Sequence, residues 1–397
     1  MRGFLLFIVF LVTGFACQSN SEKTGDIQVK EIFIDLDQPV NFKASQFFDT
    51  CFIVPLDNRE LIGEVSELFL DENHMLITDK RSTQKIYLYD WEGSLIQFLG
   101  TEGEGPGEYK FQRNIQLLSK DEFVLYSSAT NKLVYQKFSE QLGQDLNLDT
   151  LGPLKDFKLL NGNYYFAREN ESKTTNQILV FDSDFELLEE IKLDEKFLSQ
   201  DQSKYGMGKE NYFFPKWDGK GFYFSDVENP HFLDFENDLL KTIYRVRLSE
   251  REIDYSKIST GSDQGRLNLA RSQNLTYFAN AVQVHPDFLF IGYGDGPISK
   301  MAIWDKKSDI AYPVEKIEND FAVLPNINSI GMSAGLTAQP GFYIFMLEAP
   351  MLIDVLERID EKDNVYLKKL RALNIQKDDN PILFIYRFKQ SVNLKWP

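Results

Sequence analysis

Only two of the 397 residues are cysteine, Cys17 and Cys51. With Cys17 taken up by the export leader read below, no intramolecular disulfide remains, so stability has to come from buried apolar surface. Histidine is equally sparse. His74, His231 and His285 stand too far apart for the i, i+2 or i, i+4 ligand pairs of a zinc or iron motif. No metal site and no cofactor are therefore expected. The chain has no G-x-S-x-G elbow, and neither the Gly-Lys-Ser/Thr of a P-loop nor a strand-to-helix G-x-G-x-x-G. No catalytic residues are assigned. Acidic stretches such as Asp71-Glu72-Asn73 and Asp226-Val227-Glu228-Asn229 lack the spacing of a calcium loop and read as turns. Positive charge is in deficit: 43 Lys and Arg face 60 Asp and Glu, a net charge of −17. Such a body repels phosphate backbones and anionic lipid, which argues against nucleic acid and against a basic membrane-binding surface. No Pro/Ser/Gly linker follows residue 30, so residues 31–397 read as one domain.

The first 17 residues form a separate unit. Arg2 is followed by the uncharged apolar run Gly3 to Ala16, about 14 residues, short of the ~20 needed to cross a bilayer as a helix. It reads as a signal peptide, and Cys17 directly after it is the residue that lipoprotein processing would acylate. Gly14 and Phe15 depart from the usual residues of that cleavage motif, and ordinary secretion with cleavage at Ala16 is the alternative. Residues 18–30 then form a polar tether, and the expected address is the cell envelope, at the outer membrane.

What the chain has in plenty is aromatic residues, 33 Phe and 18 Tyr, the side chains that strands favour. An apolar strand, a polar turn and a second strand recur six times: Ile86–Ile96, Leu133–Leu142, Ile178–Leu187, Ile243–Ile253, Met301–Ile310 and Ile382–Phe388. A unit repeating every ~40 to 80 residues implies sheets that bury one another's faces. The first complete unit reads as four strands, Glu67–Leu70, Met75–Asp79, Lys85–Tyr89 and Leu95–Leu99. The next four cover Ile115–Leu148, Leu154–Leu193 with the turn Asn161-Gly162, Tyr212–Ile258 and Leu275–Ile317. A sixth starts near Ile327. The expected fold is an all-β, six-bladed propeller. Phe48–Leu56 completes the last blade and closes the ring, so that no sheet edge is left open. Met351–Leu373 breaks the pattern with apolar residues at three-to-four spacing, which predicts a short helical insertion in the last blade.

The stretch Gly100-Thr101-Glu102-Gly103-Glu104-Gly105-Pro106-Gly107-Glu108-Tyr109 resembles a signature of the six-bladed β-propeller lipoproteins of Bacteroidota, a family largely without assigned function. The passages Val54-Pro55-Leu56 to Leu61-Ile62-Gly63 and Asp378-Asp379-Asn380-Pro381 also resemble that family. The resemblance implies the fold and an extracytoplasmic address, and it implies no catalytic residues.

Pro106-Gly107 suits the centre of a type II turn, which would hold Glu108 and Tyr109 near one end of the ring. Gly105, Pro106, Gly107, Glu108 and Tyr109 are candidate binding residues. So are Tyr293 and Asp295 in the glycine-rich stretch Gly292–Pro297, read as a related loop. Both stretches read first as structural connectors and second as parts of a ligand-facing surface. The clusters Tyr164-Tyr165-Phe166, Tyr212-Phe213-Phe214 and Phe222-Tyr223-Phe224 could stack on sugars but fit the core better. Taken together, the sequence favours a monomeric, membrane-anchored binding or interaction module with a protein or carbohydrate partner. The alternative is a hydrolase or lyase acting on an exported carbohydrate or ester.

Overall fold

The computed structural model describes residues 27–80, 82–152, 154–168, 177–192, 213–225, 230–249, 251–254, 270, 272–321, 326, 340–359 and 364–392. Cys17, most of the tether and the start of the sixth unit at Ile327 lie outside them. The chain enters through β1 (Gln28–Ile34), β2 (Val40–Lys43), a single helical turn α1 (Ala44–Phe47) and β3 (Phe48–Pro55). The last residues of the expected tether, Gln28, Val29 and Lys30, are already paired in β1.

Three four-stranded antiparallel sheets follow in sequence order. The first holds β4 (Glu67–Leu70), β5 (His74–Thr78), β6 (Ile86–Asp90) and β7 (Leu95–Phe98). The second holds β8 (Gln112–Ser119), β9 (Glu122–Ser127), β10 (Lys132–Lys137) and β11 (Gln144–Asn147). The third holds β12 (Leu154–Leu160), β13 (Asn163–Arg168), β14 (Gln177–Phe181) and β15 (Leu187–Lys192). Its first hairpin turns at Asn161 and Gly162, both at positive φ (+52° and +82°), the geometry that a two-residue type I′ turn demands.

The next two groups depart from the sequence reading. They are β16 (Phe213–Pro215), β17 (Gly221–Phe224), β18 (His231–Glu236), β19 (Leu239–Leu248), and β20 (Thr276–Val284), β21 (Phe288–Asp295), β22 (Ile298–Asp305), β23 (Ile310–Glu318). Read as separate units, they are in fact joined, because β1 lies parallel to β19 and also touches β23 at Ile34↔Ala311, giving one curled ten-stranded sheet. Strand β2 continues along β23, again in parallel. The last sheet is three-stranded, with β24 (Phe342–Leu347) and β25 (Ile382–Phe388) completed by β3. Between β24 and β25 stand the expected helices, α2 (Ala349–Arg358) and α3 (Val365–Ala372), with Asn364 capping α3 by accepting from the Tyr366 and Leu367 N–H groups.

The core is divided among the seams between successive groups. Leu76 and Leu88 meet Phe123 and Leu125; Val124 and Tyr126 meet Phe157 and Phe166; Tyr165 and Val180 meet Phe222 and Phe235. Phe232 and Val246 meet Leu289 and Ile291, and Phe288 and Phe290 meet Tyr343 and Phe384. The sixth seam joins the end of the chain to its beginning, with Ile344 and Leu383 against Leu68 and Met75. The described members of the aromatic clusters fill these seams, with Tyr165, Phe166 and Phe222 wholly buried; Tyr212 lies outside the described residues. The result is a mostly β, propeller-like assembly of small sheets.

The join between the two ends is fastened by one amide. Asn380, buried just before β25, donates to Asp57 O and Glu60 O at 2.7 Å each and accepts from Ile62 N–H at 2.8 Å. Asn58 accepts from the Asn380 N–H and donates to Asp379, both at 2.7 Å. Asn380→Ala should therefore lower stability by about 2–4 kcal/mol in urea unfolding, since several backbone groups lose their partner at once. A loss under 1 kcal/mol would show that the join is held elsewhere.

Candidate functional site

The glycine-rich connector between β7 and β8 takes the turn that its sequence asks for. Gly107 has φ +73°, and the Glu108 N–H reaches Gly105 O at 3.2 Å, so Pro106-Gly107 is the centre of a type II turn. Its polar groups are then spent on the protein itself. The Glu108 carboxylate accepts from the Gly105 N–H at 2.8 Å, and Asp145 of β11 accepts from the Gly107 N–H at 3.0 Å. Lys132 of β10, nearly fully buried, donates to Gly105 O at 2.7 Å and to Asp145 at 2.8 Å. Tyr109 is 3% exposed and donates its hydroxyl to Gln84 O at 3.1 Å. The connector is a clasp that holds the first sheet against the β10–β11 hairpin of the second.

Tyr293 and Asp295 are not in a loop. Residues 292–295 are the end of β21, and only Gly296 and Pro297 form the turn, with Asp295 opposite Ile298. Gly296 supplies the positive φ (+56°), while the ring of Pro297 rules out a second one, leaving a type II′ turn. The glycines that suggested a flexible loop sit in a strand, and Gly294 lies where a Cβ would meet the Tyr277 ring at 2.2 Å. Tyr293 is buried in the seam, and Asp295 is paired with Lys300 at 2.9 Å and Arg251 at 3.5 Å. These two residues belong to a different sheet from the connector, so the candidates do not form one site.

A different set of polar residues lies on β4, β8, β12 and β20, each the first strand of its group. First strands approach one another in order, β8 beside β12, β12 beside β16 and β16 beside β20. A first strand has one unpaired edge, and side chains satisfy it across the gap. Gln116 of β8 donates to Phe157 O at 2.8 Å and accepts from the Leu159 N–H at 2.9 Å, so one carboxamide does the work of a neighbouring strand. Asp156 of β12 accepts from the Phe213 N–H at 3.2 Å, and Gln283 of β20 donates to Phe342 O at 3.0 Å.

Other polar atoms on these strands are buried without such use. Asn114 bulges out of the β8 ladder at φ +45°. It is 4% exposed, and neither its Oδ1 nor its Nδ2 has a hydrogen-bond partner among the described residues. The same holds for Oε1 of Gln112 and of Gln283. Lys158, partly enclosed on β12 two residues beyond Asp156, has its pKa pulled down by burial to about 8, against the opposing effect of the Asp156 charge. The first residue of β4 is charged as well, and Glu67 meets Lys80 at 2.7 Å in an almost fully buried pair. The sequence reading passed over this set. The usable signal was polar residues interrupting apolar strands, as in Gln112-Arg113-Asn114-Ile115-Gln116 and Asp156-Phe157-Lys158.

The histidines serve structure. His74 lies 3.3 Å from Asp71, and the fully buried His285 contacts Lys389 O at 2.9 Å and accepts from the Asp287 N–H. Burial holds His285 below the usual imidazole pKa. Among the described residues no three His, Cys, Asp or Glu side chains are placed to share a metal ion. A shallow cleft of about 250 Å³ between α2 and α3 is lined by Ile353, Leu356, Leu370 and Arg371 and belongs to the packing of the two helices.

Two expected outcomes test these assignments. Gly107→Ala forces a side chain into positive φ and to within 2.4 Å of Gly143 O, so it should cost about 2–3 kcal/mol in urea unfolding. Lys158 releases its proton near pH 8 when folded, against an ordinary value of 10.5. The unfolded chain thus holds more protons across that window, and stability rises with pH through it. Lys158→Met should add ~1–2 kcal/mol at pH 7 and flatten the rise between pH 8 and 10, as read from unfolding midpoints. Lys306, lowered to about 8 by burial and by neighbouring Lys216, would supply the remaining slope.

Among curated proteins none matches the chain. A crystal structure of a Bacteroides fragilis protein described as exported superposes with a TM-score of 0.67 at 17% identity, covering 91% of this chain and 100% of that one. At that identity the likeness speaks for the fold. A DUF4221-family member from Bacteroides vulgatus gives 0.49 at 10% identity over 86% and 97% of the two chains. Virginiamycin B lyase from Staphylococcus aureus gives 0.39 at 12% over 66% and 73%. Neither score bears on fold or function. A family model described as a domain of unknown function (DUF4934) matches residues 27–387. That match spans nearly every described element, and the chain belongs to the DUF4934 family.

Proposed function

We propose that the protein is a six-bladed β-propeller lipoprotein of the cell envelope, anchored at the outer membrane through Cys17, and that it works as a monomeric binding or protein-interaction module. The ring reading is supported by the six seams, which run from each group to the next and from the last back to the first. It is supported too by β3, which supplies the strand the final group needs. The likeness to an exported Bacteroides protein fits an extracytoplasmic address, and no described helix is long and apolar enough to cross a membrane.

One observation carries the binding reading. Asn114, Gln112 and Gln283 hold buried hydrogen-bonding atoms without a protein partner among the described residues, on β8 and β20, first strands that lie beside β12 and β16 respectively. A buried amide left unpaired costs about 1–3 kcal/mol, and a polar ligand that bonds to it recovers that cost. Sugar hydroxyls or peptide amides match these donors and acceptors. The second reading, a hydrolase or lyase, rests on Lys158, whose amine near pKa 8 falls in the range of a general base.

The test presents immobilised envelope glycans and peptides to the purified full chain. Asn114→Gly keeps the positive φ and removes both unpaired atoms. It should match or exceed wild-type stability while weakening binding at least tenfold, the equivalent of ~1.4 kcal/mol. Ligands held equally by both proteins would refute this site. Turnover of a glycan or ester that disappears in Lys158→Met would establish the enzymatic reading instead.

A further inference from the structure

Four consecutive residues at the entry to β8, Phe111 to Asn114, each leave bonding capacity unspent. Phe111 stands at φ +50°, a conformation that a bulky side chain adopts only under constraint. Three hydrogen bonds impose it. The Phe111 N–H donates to Gln84 Oε1 at 3.3 Å, and Phe111 O accepts from the Ser128 N–H at 3.2 Å and the Ser128 hydroxyl at 2.8 Å. So fixed, Phe111 is 52% exposed. Arg113 is exposed as well and has no ion-pair partner among the described residues. Gln112 and Asn114 alternate with this pair and are buried, with Gln112 Oε1 and both amide atoms of Asn114 unpartnered among the described residues. The bulge gives a way to them. Asn114 has no opposite residue on β9, since the register passes from Arg113↔Tyr126 to Ile115↔Leu125, so its peptide can turn without breaking a ladder pair.

The charge here runs against that of the chain, which carries −17 overall. Arg113 is the one charged residue of β8. On β12, the strand beside it, Lys158 also lacks an ion pair among the described residues, with Asp156 as the acid whose charge acts on it. The Asp156 oxygens are turned to the Phe157 and Phe213 N–H groups. In the connector that leads into β8, Glu104 is held by Lys110 at 2.5 Å. Arg113 is left as an exposed cation without a counter-charge.

Each residue sets a requirement on the ligand. An unpaired guanidinium presents a planar fork of donors that fits the oxygens of a carboxylate or sulfate. The electron-rich face of an exposed aromatic ring takes the C–H face of a pyranose. Vicinal hydroxyls donate and accept side by side, which answers the free Nδ2 and Oδ1 of a single carboxamide. We infer that Phe111 to Asn114 form a subsite for a negatively charged sugar, a uronic acid or a sulfated sugar. Its ring lies against Phe111, its anionic group on Arg113 and its hydroxyls on Asn114 and Gln112. The inference rests on the binding reading above and deepens it by naming the ligand class.

The experiment titrates the purified full chain by calorimetry with galacturonate and glucuronate oligosaccharides and with their carboxyl-reduced counterparts. A second series uses sulfated and unsulfated galactan oligosaccharides, and the series that binds tells carboxylate from sulfate. The expected result is binding of a charged member, with its neutral counterpart held about tenfold more weakly or worse. Arg113→Gln should abolish that difference by weakening the charged sugar and sparing the neutral one. Phe111→Gly, which keeps the positive φ, should weaken both forms alike. Neutral sugars held as tightly as charged ones, and lost in Asn114→Gly, would overturn the charge assignment while the binding reading stands. A charge preference that survives Arg113→Gln would overturn the subsite. Peptides held through Asn114 with no sugar bound would overturn the sugar class alone, and a chain that takes neither would overturn both readings.

Discussion

The structure depends on residues 28–55 being stitched to the end of the chain. Strand β1 runs along β19, β2 along β23, and β3 along β25, so one segment crosses the outer edges of three successive groups. Each contact spans more than 200 residues of sequence, and each covers a strand edge that would otherwise be open to other chains. Strand β3 adds Val54 and Leu56 to the seam between the last sheet and the first, beside Leu68, Leu383 and Ile385. Asn380 and Asn58 then lock the chain as it leaves β3. Without this segment the sheets would form an open row with two unsatisfied ends.

Against that frame, the protein uses its polar residues in two ways. In the connectors they hold backbone: Lys132 and Asp145 fasten the connector turn, and Asp79, fully buried, accepts from the Gly63 and Ser82 N–H groups and from Thr83. On the first strands Gln116 and Asp156 bridge to the neighbouring group, but Asn114 and Lys158 carry bonding capacity or charge beyond what the fold uses. Groups that cost stability and hold nothing together are the ones a ligand can engage.

Much of the fold was legible because the signals are local. Alternating aromatic runs marked the strands, Asn161-Gly162 and Pro106-Gly107 marked turns with a required positive φ, and the spacing of Leu352, Leu356 and Leu367 marked the helices. The unpaired Phe48–Leu56 strand announced closure because the last unit lacked a partner for it. The two passages around Asn58 and Asn380, noticed separately in the sequence, turn out to be hydrogen-bonded to each other. Parallel pairing, by contrast, leaves no turn and no local spacing, so the insertion of β1 between β19 and β23 could not be read. Gly292 and Gly294 misled because a glycine admitted for close packing looks the same in sequence as one admitted for flexibility. The polar first-strand residues were passed over for a similar reason: whether Asn114 or Gln116 finds a partner depends on a neighbouring strand some 40 residues away.

The stitching also sets an order of events. Strand β3 is made early, yet its partner is made last, because β25 ends only at Phe388. Phe47 can pack on Phe288 and Phe290 once β21 is made, but Phe48 and Ile53 wait for β24 and β25, and that part of the leading end stays sticky while the remaining sheets assemble. If β3 met the β25 of a second newly made molecule during that wait, exchange of the segment would yield interlocked dimers.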